Sequence, residues 1–293
     1  MNLKKIKQRI IASSWHLGFV VNGFDGVFQD GPLNIQWVNN PYKDKWFADP
    51  FILDVTDNEI FLLVEEFRYD NPVGRIAKLT VDRKTLDIVN LEIIIDTGSH
   101  LSFPNILRED GKIFIYPENS QAGRQDLYEY DCKSSKATFV KTICNDCIWD
   151  AVITDLFGKR QMFTAHTSDY FLDIYDWDEE TSLFVHKQQI ESKQKNSRMA
   201  GQFFKYKGEI YLPFQNCERT YGGNIDLKKV TFNNGQFSFE TVKKLFSPHK
   251  KFNEGLHTLN EYKGVVVIDV IGFNHLAGKI ISRIVKFVKK LKK

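Results

Sequence analysis

The feature that most constrains the fold is a motif of two short apolar runs joined by a turn, which recurs five times in the 293 residues. Aligned on equivalent residues of their first runs, the copies are spaced by 54, 47, 51 and 54 residues. The aligned residues are Phe51, Asn105, Val152, Phe203 and His257. Each turn carries glycine or asparagine, which is typical of a β-hairpin. The turn residues are Asn58, Gly111, Gly158, Gly208 and Gly264.

Further strand-like runs, such as residues 74–81 and 125–132, lie between the copies and give each repeat room for four strands. A repeat of about 50 residues with four strands predicts a β-propeller with one blade per repeat. The sequence therefore predicts an all-β, five-bladed β-propeller over residues 41–272, preceded by a lead-in over residues 1–40. A β-sandwich with accidental internal similarity is the alternative.

Polar residues stand at the start of the first strand of every predicted blade. In a propeller these strands line the central channel, so their starting residues meet at one mouth of that channel, and we predict a pocket there. Asp49 illustrates the pattern, because an acid between aromatic residues and Pro50 is costly unless it has a partner or a task. The converging residues are Asp49, His100, Ser102, Asp150, Arg198, Gln202, Glu254 and His257.

The predicted second strands also end in polar residues, which would extend this pocket or lie at its rim. Neighbouring residues of a strand face opposite sides, so only one of Glu65 and Glu66 can face the channel, and Glu66 is taken as the candidate. The other candidates from these strand ends are Glu118, His166 and Gln215.

The segment QNCERTYGG, residues 215–223, combines polar residues with paired glycines. Arg219 and Tyr221 are suited to holding a phosphate or a sugar, since a guanidinium binds phosphate bidentately and glycines allow close backbone approach. A tight loop between blades with a surface arginine is the alternative. Arg198, at a predicted channel position, is the stronger candidate for binding an anion.

Charge is distributed unevenly along the chain, whose net charge is +3. Residues 1–10 and 275–293 contain eleven Lys and Arg and no acid, so the body between them is acidic. An acidic body argues against binding of nucleic acid. Cys144 and Cys147 form a CxxC pair without a second pair at zinc spacing, and we interpret them as free thiols rather than a metal or redox pair. No spacing fixes a metal site, so no metal is predicted, and the sequence indicates no particular cofactor.

The basic C-terminal segment has apolar residues at helical spacing, which are Leu276, Ile280, Ile284, Val288 and Leu291. This pattern predicts a basic amphipathic helix over residues 273–293 that lies on an anionic membrane surface. A helix packed on the propeller is the alternative. No apolar run approaches the roughly 20 residues of a spanning helix, and the N-terminal segment shows no cleavage site. We therefore expect a cytoplasmic protein, peripheral on the inner face of the cell membrane.

Nine short motifs occur in the order in which a known family has them, among them WFADPF (46–51), HLSFP (100–104), WDAVITD (149–155) and GLHTLN (255–260). From about Trp46 to Asp269 the chain resembles the N-terminal domain of plant glucosamine inositolphosphorylceramide transferases, a domain that also occurs alone in bacterial proteins. The resemblance implies the five-bladed propeller superfamily of arabinanases, fructosidases and related glycosidases.

In those glycosidases three carboxylates at the channel mouth act as base, acid and orienting group. The resemblance, applied by position, implies Asp49 as the base, Glu118 as the acid and Asp150 as the third group. Such a pair fits sugar chemistry because the leaving oxygen needs a proton while the nucleophile loses one. The expected substrate-binding residues are Glu66, His100, Ser102, His166, Arg198, Gln202, Gln215, Arg219, Tyr221 and His257.

The favoured hypothesis is a glycosyltransferase that acts on a lipid-linked intermediate in surface polysaccharide or glycolipid biosynthesis. Its partners would be an activated sugar donor and a glycan or lipid-linked acceptor. No Rossmann-type phosphate loop appears in the sequence, so the donor site would be a new one. The alternatives are a glycoside hydrolase that uses the same carboxylates and a non-catalytic glycan-binding module.

Overall fold

The computed structural model describes residues 12–165, 171–191 and 198–275. In these ranges the chain forms five antiparallel sheets whose inner strands contact one another around a channel. The predicted all-β, five-bladed propeller is confirmed. Of the helix predicted over residues 273–293, the first three residues end a strand, and the rest lie outside the described residues.

The described chain begins with two strands and a short helix: β1 (Ala12–Val20), α1 (Gly23–Phe28) and β2 (Ile35–Trp37). The first blade, from the channel outward, consists of β3 (Lys45–Val55), β4 (Glu59–Arg68), β5 (Arg75–Asp82) and β6 (Ile88–Ile95). The second blade consists of β7 (Ser102–Glu109), β8 (Lys112–Glu118), β9 (Gln125–Asp131) and β10 (Lys136–Cys144), with a 3-10 helix at Ser120–Ala122.

The third blade consists of β11 (Trp149–Thr154), β12 (Gln161–Ala165), β13 (Phe171–Asp178) and β14 (Leu183–Glu191). The fourth blade has its inner strand in two pieces, β15 (Arg198–Met199) and β16 (Phe204–Tyr206), followed by β17 (Glu209–Asn216), β18 (Asn224–Asn233) and β19 (Gln236–Leu245). The fifth blade begins with β20 (Gly255–Tyr262) and β21 (Val265–His275).

The fifth blade is completed by strands from the start of the chain. Its order is β20, β21, β1 and β2, and β1 pairs with β21 along its whole length. The predicted lead-in of residues 1–40 is therefore part of the propeller over its described length. The pairing of β1 with β21 joins the start of the chain to its last blade and so closes the ring. In the closed ring, neighbouring blades cover the inner edges of the sheets.

The core lies between neighbouring blades, so both faces of an inner sheet are buried. In β4, Leu63 packs towards Phe103 of the second blade, while Leu62 and Val64 pack with Val267 of the fifth. Two buried faces explain why the second strands read as unbroken apolar runs rather than as alternating polar and apolar residues.

The inner strands of the first three blades share one irregularity. Pairing with the second strand is interrupted at residues 49–50, 103–104 and 150–151, and the first residue of each bulge has a positive φ. These φ values are 50° for Asp49, 45° for Phe103 and 50° for Asp150. Aspartate adopts this left-handed region more readily than most residues. An Asp followed by Pro within a strand is thus explained as a β-bulge that aims the carboxylate into the channel.

Candidate functional site

Five buried carboxyl groups converge at one mouth of the channel, each at most 8% exposed. The first three blades supply four of them from bulges or from the ends of second strands, and β21 supplies the fifth. They are Asp49, Glu65, Glu118, Asp150 and Asp269. Three basic side chains contact these carboxyl groups and divide the cluster into two halves with a residue between them. The contacts are His257 with Asp49 and Asp269 in the first half, Arg198 with Asp150 in the second half, and His100 with Glu65 between them.

In the first half, hydrogen-bond donors surround Asp49. Its Oδ1 accepts from the Thr258 hydroxyl at 3.0 Å, and its Oδ2 accepts from the backbone N–H of Phe103 at 3.1 Å. His257 Nε2 lies 3.5 Å from Oδ1. The Phe103 contact requires the left-handed bulge of the second blade, which turns that N–H towards the first blade. Asp49 is therefore fixed by two neighbouring blades.

His257 is fixed between two carboxylates and an indole. Its Nδ1 lies 2.8 Å from Oδ1 of Asp269, and its ring stacks on Trp15 at a centroid distance of 3.7 Å. Oδ2 of Asp269 in turn accepts the backbone N–H of Asp49 at 2.9 Å. Burial alone would lower the pKa of His257, but the carboxylates of Asp269 and Asp49 outweigh it and raise that pKa. A protonated imidazole facing an indole also gains cation–π energy.

The pKa of Asp49 reflects opposing influences. Burial raises it, and the nearby Asp269 carboxylate adds to the rise. The positive His257 and the donors Phe103 and Thr258 act in the opposite direction, and the net shift is upward. A carboxylate with a raised pKa that is still stabilised by donors is suited to accepting a proton in a reaction.

The second half is built around Asp150, which occupies the equivalent bulge of the third blade. Arg198 Nη1 lies 3.5 Å from its Oδ2, and Gln215 Nε2 donates to the same oxygen at 3.3 Å. The Asp150 backbone N–H donates to Oε2 of Glu118 at 3.2 Å. The Arg198 guanidinium lies 4.5 Å above the Trp149 ring, which fixes its position.

Burial raises the pKa of Asp150 well above its usual value. Arg198 opposes the rise, whereas the adjacent Glu118 carboxyl strengthens it by charge repulsion and by a side-chain hydrogen bond. The raised pKa favours the protonated form of Asp150. Ser120 donates to the other oxygen of Glu118 at 2.9 Å.

Glu65 lies between the halves. Burial raises its pKa well above the usual value, and repulsion from Asp49, Glu118 and other acids adds to this effect. His100 Nε2 lies 3.5 Å from Glu65, while His100 Nδ1 accepts the Gly74 N–H at 2.9 Å. Because Nδ1 is an acceptor, the ring proton is on Nε2 and points at the Glu65 carboxyl.

Glu66, the residue chosen from the sequence, faces away from the channel. Its carboxylate bonds to Lys45 at 3.0 Å and to Arg75 at 2.8 Å. β4 pairs with β5 without a register shift from Glu59 to Glu66, so its side chains alternate regularly. Glu65 therefore shares the face of Leu63 and takes the channel position, whereas Glu66 shares the face of Leu62 and Val64.

Gln202 forms the floor of the site rather than its wall. Its Nε2 reaches from the fourth blade to Oδ1 of Asn105 in the second blade, at 2.6 Å. Asn105 and Asn260 each donate to a backbone carbonyl of the next blade, those of Ala151 and Pro50. These three amides link different blades across the channel.

The loop of residues 217–223 covers part of the mouth. Tyr221 is half exposed and its ring lies edge-on to His257 at 5.6 Å and to Trp15 at 6.4 Å. A Cβ at Gly222 would approach Cβ of His257 to 2.7 Å, so the glycine is needed for this close contact. Arg219 is exposed at the outer side of the loop.

The remaining predicted residues are placed as follows. Ser102 lies opposite Glu118 in the β7–β8 pairing and is partly exposed. His166 lies outside the described residues. Cys144 is buried and Cys147 exposed, and both are free thiols.

Sequence reasoning missed Glu65, Asp269, Trp15 and Trp149. Asp269 had a detectable signal, since it is a lone acid in the apolar run VVVIDV and the argument used for Asp49 applies to it. Trp15 had none, because only ring closure brings β1 to His257.

Asp49, His257 and Asp269 each offer one potential ligand atom, and these atoms lie within 4.8 Å of one another. Two carboxylates and an imidazole nitrogen are ligands that divalent cations accept. Binding would require His257 to lose its proton and its hydrogen bond to Asp269. In the described arrangement the contacts of His257 with Asp269 and Asp49 account for the cluster.

The five sheets define a class of fold, the five-bladed β-propellers. The chain is similar to a family-43 β-xylosidase/α-arabinofuranosidase from a compost microbial metagenome, with a TM-score of 0.54 and 13% identity over 79% of this chain and 91% of that one. It is also similar to a GH43_1 enzyme from Xanthomonas citri complexed with xylose, with a TM-score of 0.54 and 10% identity over 78% and 87% of the two chains. At such identity the likeness shows the fold alone.

Residues 36–265 match the family described as "Glucosamine inositolphosphorylceramide transferase 1, N-terminal", and the chain belongs to this family. Glucosamine inositolphosphorylceramide transferase 1 of Oryza sativa subsp. japonica is 25% identical over 199 residues, which are 64% of this chain and 27% of the relative. The Arabidopsis thaliana protein of the same name is 25% identical over 206 residues, 66% of this chain and 26% of the relative. The chain thus spans about a quarter of the length of the curated relatives it matches.

Proposed function

We propose that the protein is a glycosyltransferase that transfers a sugar from an activated donor to a lipid-linked acceptor in glycolipid or surface polysaccharide biosynthesis. Family membership and the names of the relatives support a transferase in glycolipid biosynthesis. The observation that carries the proposal is the division of the mouth into two differently charged halves. One half holds Asp49 beside His257, and the other holds Asp150, whose raised pKa favours a bound proton, beside Arg198.

The two halves suit the two proton movements of sugar transfer. Asp49 takes the proton of the acceptor hydroxyl while that oxygen forms a bond to the anomeric carbon of the sugar. The bond from this carbon to the donor's phosphate oxygen breaks at the same time. Arg198 offers its guanidinium to the departing phosphate, and the protonated form of Asp150, which its raised pKa favours, can supply a proton to the leaving oxygen.

His257 and Asp269 would act on the reaction through Asp49. When Asp49 takes up a proton it loses its negative charge, and the imidazolium of His257 then loses its attraction to that charge. This loss opposes protonation and so limits the basicity of Asp49. Asp269 holds both partners in place through His257 Nδ1 and the Asp49 N–H. They are positioning residues in this scheme.

We further propose that the protein works on the cytoplasmic face of the cell membrane. The support is the basic, amphipathic sequence of residues 275–293, whose lysines and arginine would interact with anionic lipids at about 1 kcal/mol each. None of the helices within the described ranges is long and apolar enough to cross a membrane. Vesicle flotation with anionic and with neutral lipids tests this, and equal binding to both would contradict it.

Hydrolysis of a glycoside is the second candidate, favoured by the fold shared with family-43 enzymes. It would use Asp49 as the base for water and the proton of the Glu118–Asp150 pair for the leaving sugar oxygen. In this case Arg198 would bind a sugar substituent instead of a phosphate. A glycan-binding module without activity is the third possibility and makes Asp49 dispensable.

One experiment separates these functions. The purified protein is incubated with radiolabelled nucleotide sugars and extracted membrane lipids, and separately with aryl glycosides. A labelled lipid that depends on the donor supports transfer, whereas released free sugar supports hydrolysis. Asp49→Asn is expected to lower the rate by at least about a hundredfold. Asp54→Asn, on the same strand but paired with the exposed Lys263, is the matched control. Full activity of Asp49→Asn would contradict the assigned role.

A further inference from the structure

A cavity outside the channel lies between the third and fourth blades. Its volume is about 240 Å³. An apolar cavity of about 150 Å³ is already large enough to bind benzene, so this one has room for a ring with a small substituent. Strands β13 and β14 supply one wall, and β17, β18 and β19 supply the other. The apolar lining residues are Leu172, Ile190, Phe214, Phe237 and Phe239.

One basic side chain in the wall of this cavity is almost completely buried. Lys228 is 5% exposed, and its Nζ lies 4.3 Å from the centre of the Phe214 ring. Burial lowers the pKa of Lys228, and the negative charge of Asp226 opposes this effect without cancelling it. The cation–π contact with Phe214 replaces a part of the hydration that the ammonium loses on burial.

In the part of the chain that the structure describes, the Lys228 ammonium has neither a hydrogen-bond acceptor nor an ion-pair partner. Asp226 lies two residues earlier on β18, and its carboxylate accepts hydrogen bonds from the side-chain amides of Asn216 at 3.1 Å and Asn224 at 2.7 Å. An ammonium has three N–H donors, and a buried charge without a partner is costly. Lys228 is therefore available to an anion that enters the cavity.

The other groups of the lining restrict the kind of anion. Phe214 lies edge-on to Phe239 at 5.5 Å, and Phe237 packs on Phe232 at 4.4 Å, so the aromatic wall is fixed in position. Fixed aromatic side chains favour a ligand with an apolar body. Glu191 also lines the cavity, on its exposed side, and would repel a second negative charge. The lining therefore suits an apolar acid with one charge better than a phosphate or a dicarboxylate.

We propose that this cavity binds a small apolar monocarboxylate, whose carboxylate pairs with Lys228 and whose body packs against Phe214, Phe237 and Phe239. Hydrogen bonds between an ammonium and a carboxylate are about twice as strong as those between neutral groups. The cavity is separate from the channel mouth, where the five buried carboxyl groups would repel the same ligand except at Arg198. The binding is independent of the proposed transferase function, because no residue of the mouth lines this cavity.

Saturation-transfer NMR of the whole protein tests the site with benzoate and benzyl alcohol, two probes of similar size that differ in charge. We expect benzoate to bind with a dissociation constant of about 1 mM or lower, and benzyl alcohol at least about tenfold more weakly. Lys228→Met keeps an apolar stem and removes the charge. This variant is expected to bind benzoate at least about tenfold more weakly, as weakly as benzyl alcohol, whose own affinity should not change.

Lys229→Met is the matched control. Lys229 is the next residue of β18, but it pairs with Glu209 at 2.8 Å and does not line the cavity. Benzoate should therefore bind to Lys229→Met as it does to the unchanged protein. Ile190→Trp adds an indole to the half-buried edge of the cavity and is expected to weaken binding of both probes. It tests the location of the site independently if Lys228→Met does not fold.

Arg198→Met identifies the other place at which a carboxylate could bind. Benzoate binding that survives Arg198→Met and is weakened in Lys228→Met and Ile190→Trp supports the cavity. Binding that is lost in Arg198→Met and kept in Ile190→Trp would place benzoate in the channel and overturn the proposal. Equal affinity for the two probes, or no saturation transfer to benzoate at about 10 mM, would overturn it as well.

Discussion

Asp49 and Asp150 occupy the same bulge in two different blades, with the same φ of 50°, yet their surroundings differ. Asp49 faces a protonated imidazole and two uncharged donors, whereas Asp150 faces a guanidinium and a second carboxyl group. A repeated backbone thus produces two carboxyl groups with different tasks. The difference comes from the neighbouring blades, because β20 and β21 supply His257 and Asp269 to one half and β8 supplies Glu118 to the other.

The largest effect on stability is expected from Asp269→Asn, which removes the permanent partner of His257. Asp269 is fully buried and accepts hydrogen bonds from Asp49, His257 and Thr258. Breaking a buried ion pair from one side costs about 3–5 kcal/mol. Arg198→Met is expected to cost less, because Asp150 can stay protonated when it loses its cation. Urea unfolding of the two variants compares the halves directly, and equal losses would show that they are not built differently.

Glu65 and Glu66 provide an adjacent pair for the next comparison. Glu66→Gln breaks two ion pairs in a buried site and is expected to cost about 2–3 kcal/mol. Glu65→Gln is expected to be neutral or stabilising, since burial and the neighbouring acids raise the pKa of Glu65 and so favour its uncharged form. Thermal unfolding at neutral pH distinguishes them. If Glu65→Gln were the more damaging variant, the ionised form of Glu65 would be the one that stabilises the fold.

The two halves also predict a dependence of stability on pH. The pKa of His257 is raised in the folded protein from 6.5, so its contribution is complete below pH 6.5 and is lost as the pH rises through the folded pKa. The pKa of Asp150 is also raised in the folded protein, so the folded state binds a proton that the unfolded state has released. Its contribution to stability is therefore also lost as the pH rises, starting from a lower pH than for His257. We expect the melting temperature to fall as the pH rises above 6.5, and to fall less in His257→Gln. Identical pH profiles would exclude a charged His257.

The smallest effects are expected from the single hydroxyl groups that support each half. Thr258→Val removes the donor to Asp49, and Ser120→Ala removes the donor to Glu118. Each is expected to cost about 1 kcal/mol, the usual contribution of a hydrogen bond. Thr258→Val should also raise the pKa of Asp49, which the pH dependence of the reaction would report. An unchanged profile would mean that the Thr258 hydroxyl has no influence on the pKa of Asp49.

The repeat allowed the fold and both bulge aspartates to be predicted, because equivalent positions of successive blades meet at one mouth. It did not allow the choice between Glu65 and Glu66. That choice depends on which face of β4 is turned to the channel, and because both faces are buried, the unbroken apolar run of β4 does not mark either one. Ser102 was likewise one position from Phe103, the true counterpart of Asp49.

Residues contributed by closure of the ring were the least predictable. Trp15 belongs to β1, which meets β21 only when the fifth blade is completed. Asp269 contacts His257 within the β20–β21 hairpin and reaches Asp49 only when the ring closes. Periodicity within a repeat says nothing about a contact between two distant segments. The predicted membrane helix of residues 273–293 is untested beyond residue 275, and residues 273–275 extend β21 instead.

Closure of the ring by β1 has a kinetic consequence. Asp49 and Asp269 are 220 positions apart in the chain, and Trp15 covers a histidine contributed by the last blade. Contacts of such sequence separation form late in folding, because the loop between them must first be ordered. A transient local opening of the pairing between β1 and β21 would move Trp15 away and let water reach His257. The rate at which β1 amide hydrogens exchange with solvent should therefore measure how long the site stays assembled between openings, and a bound acceptor should slow that exchange.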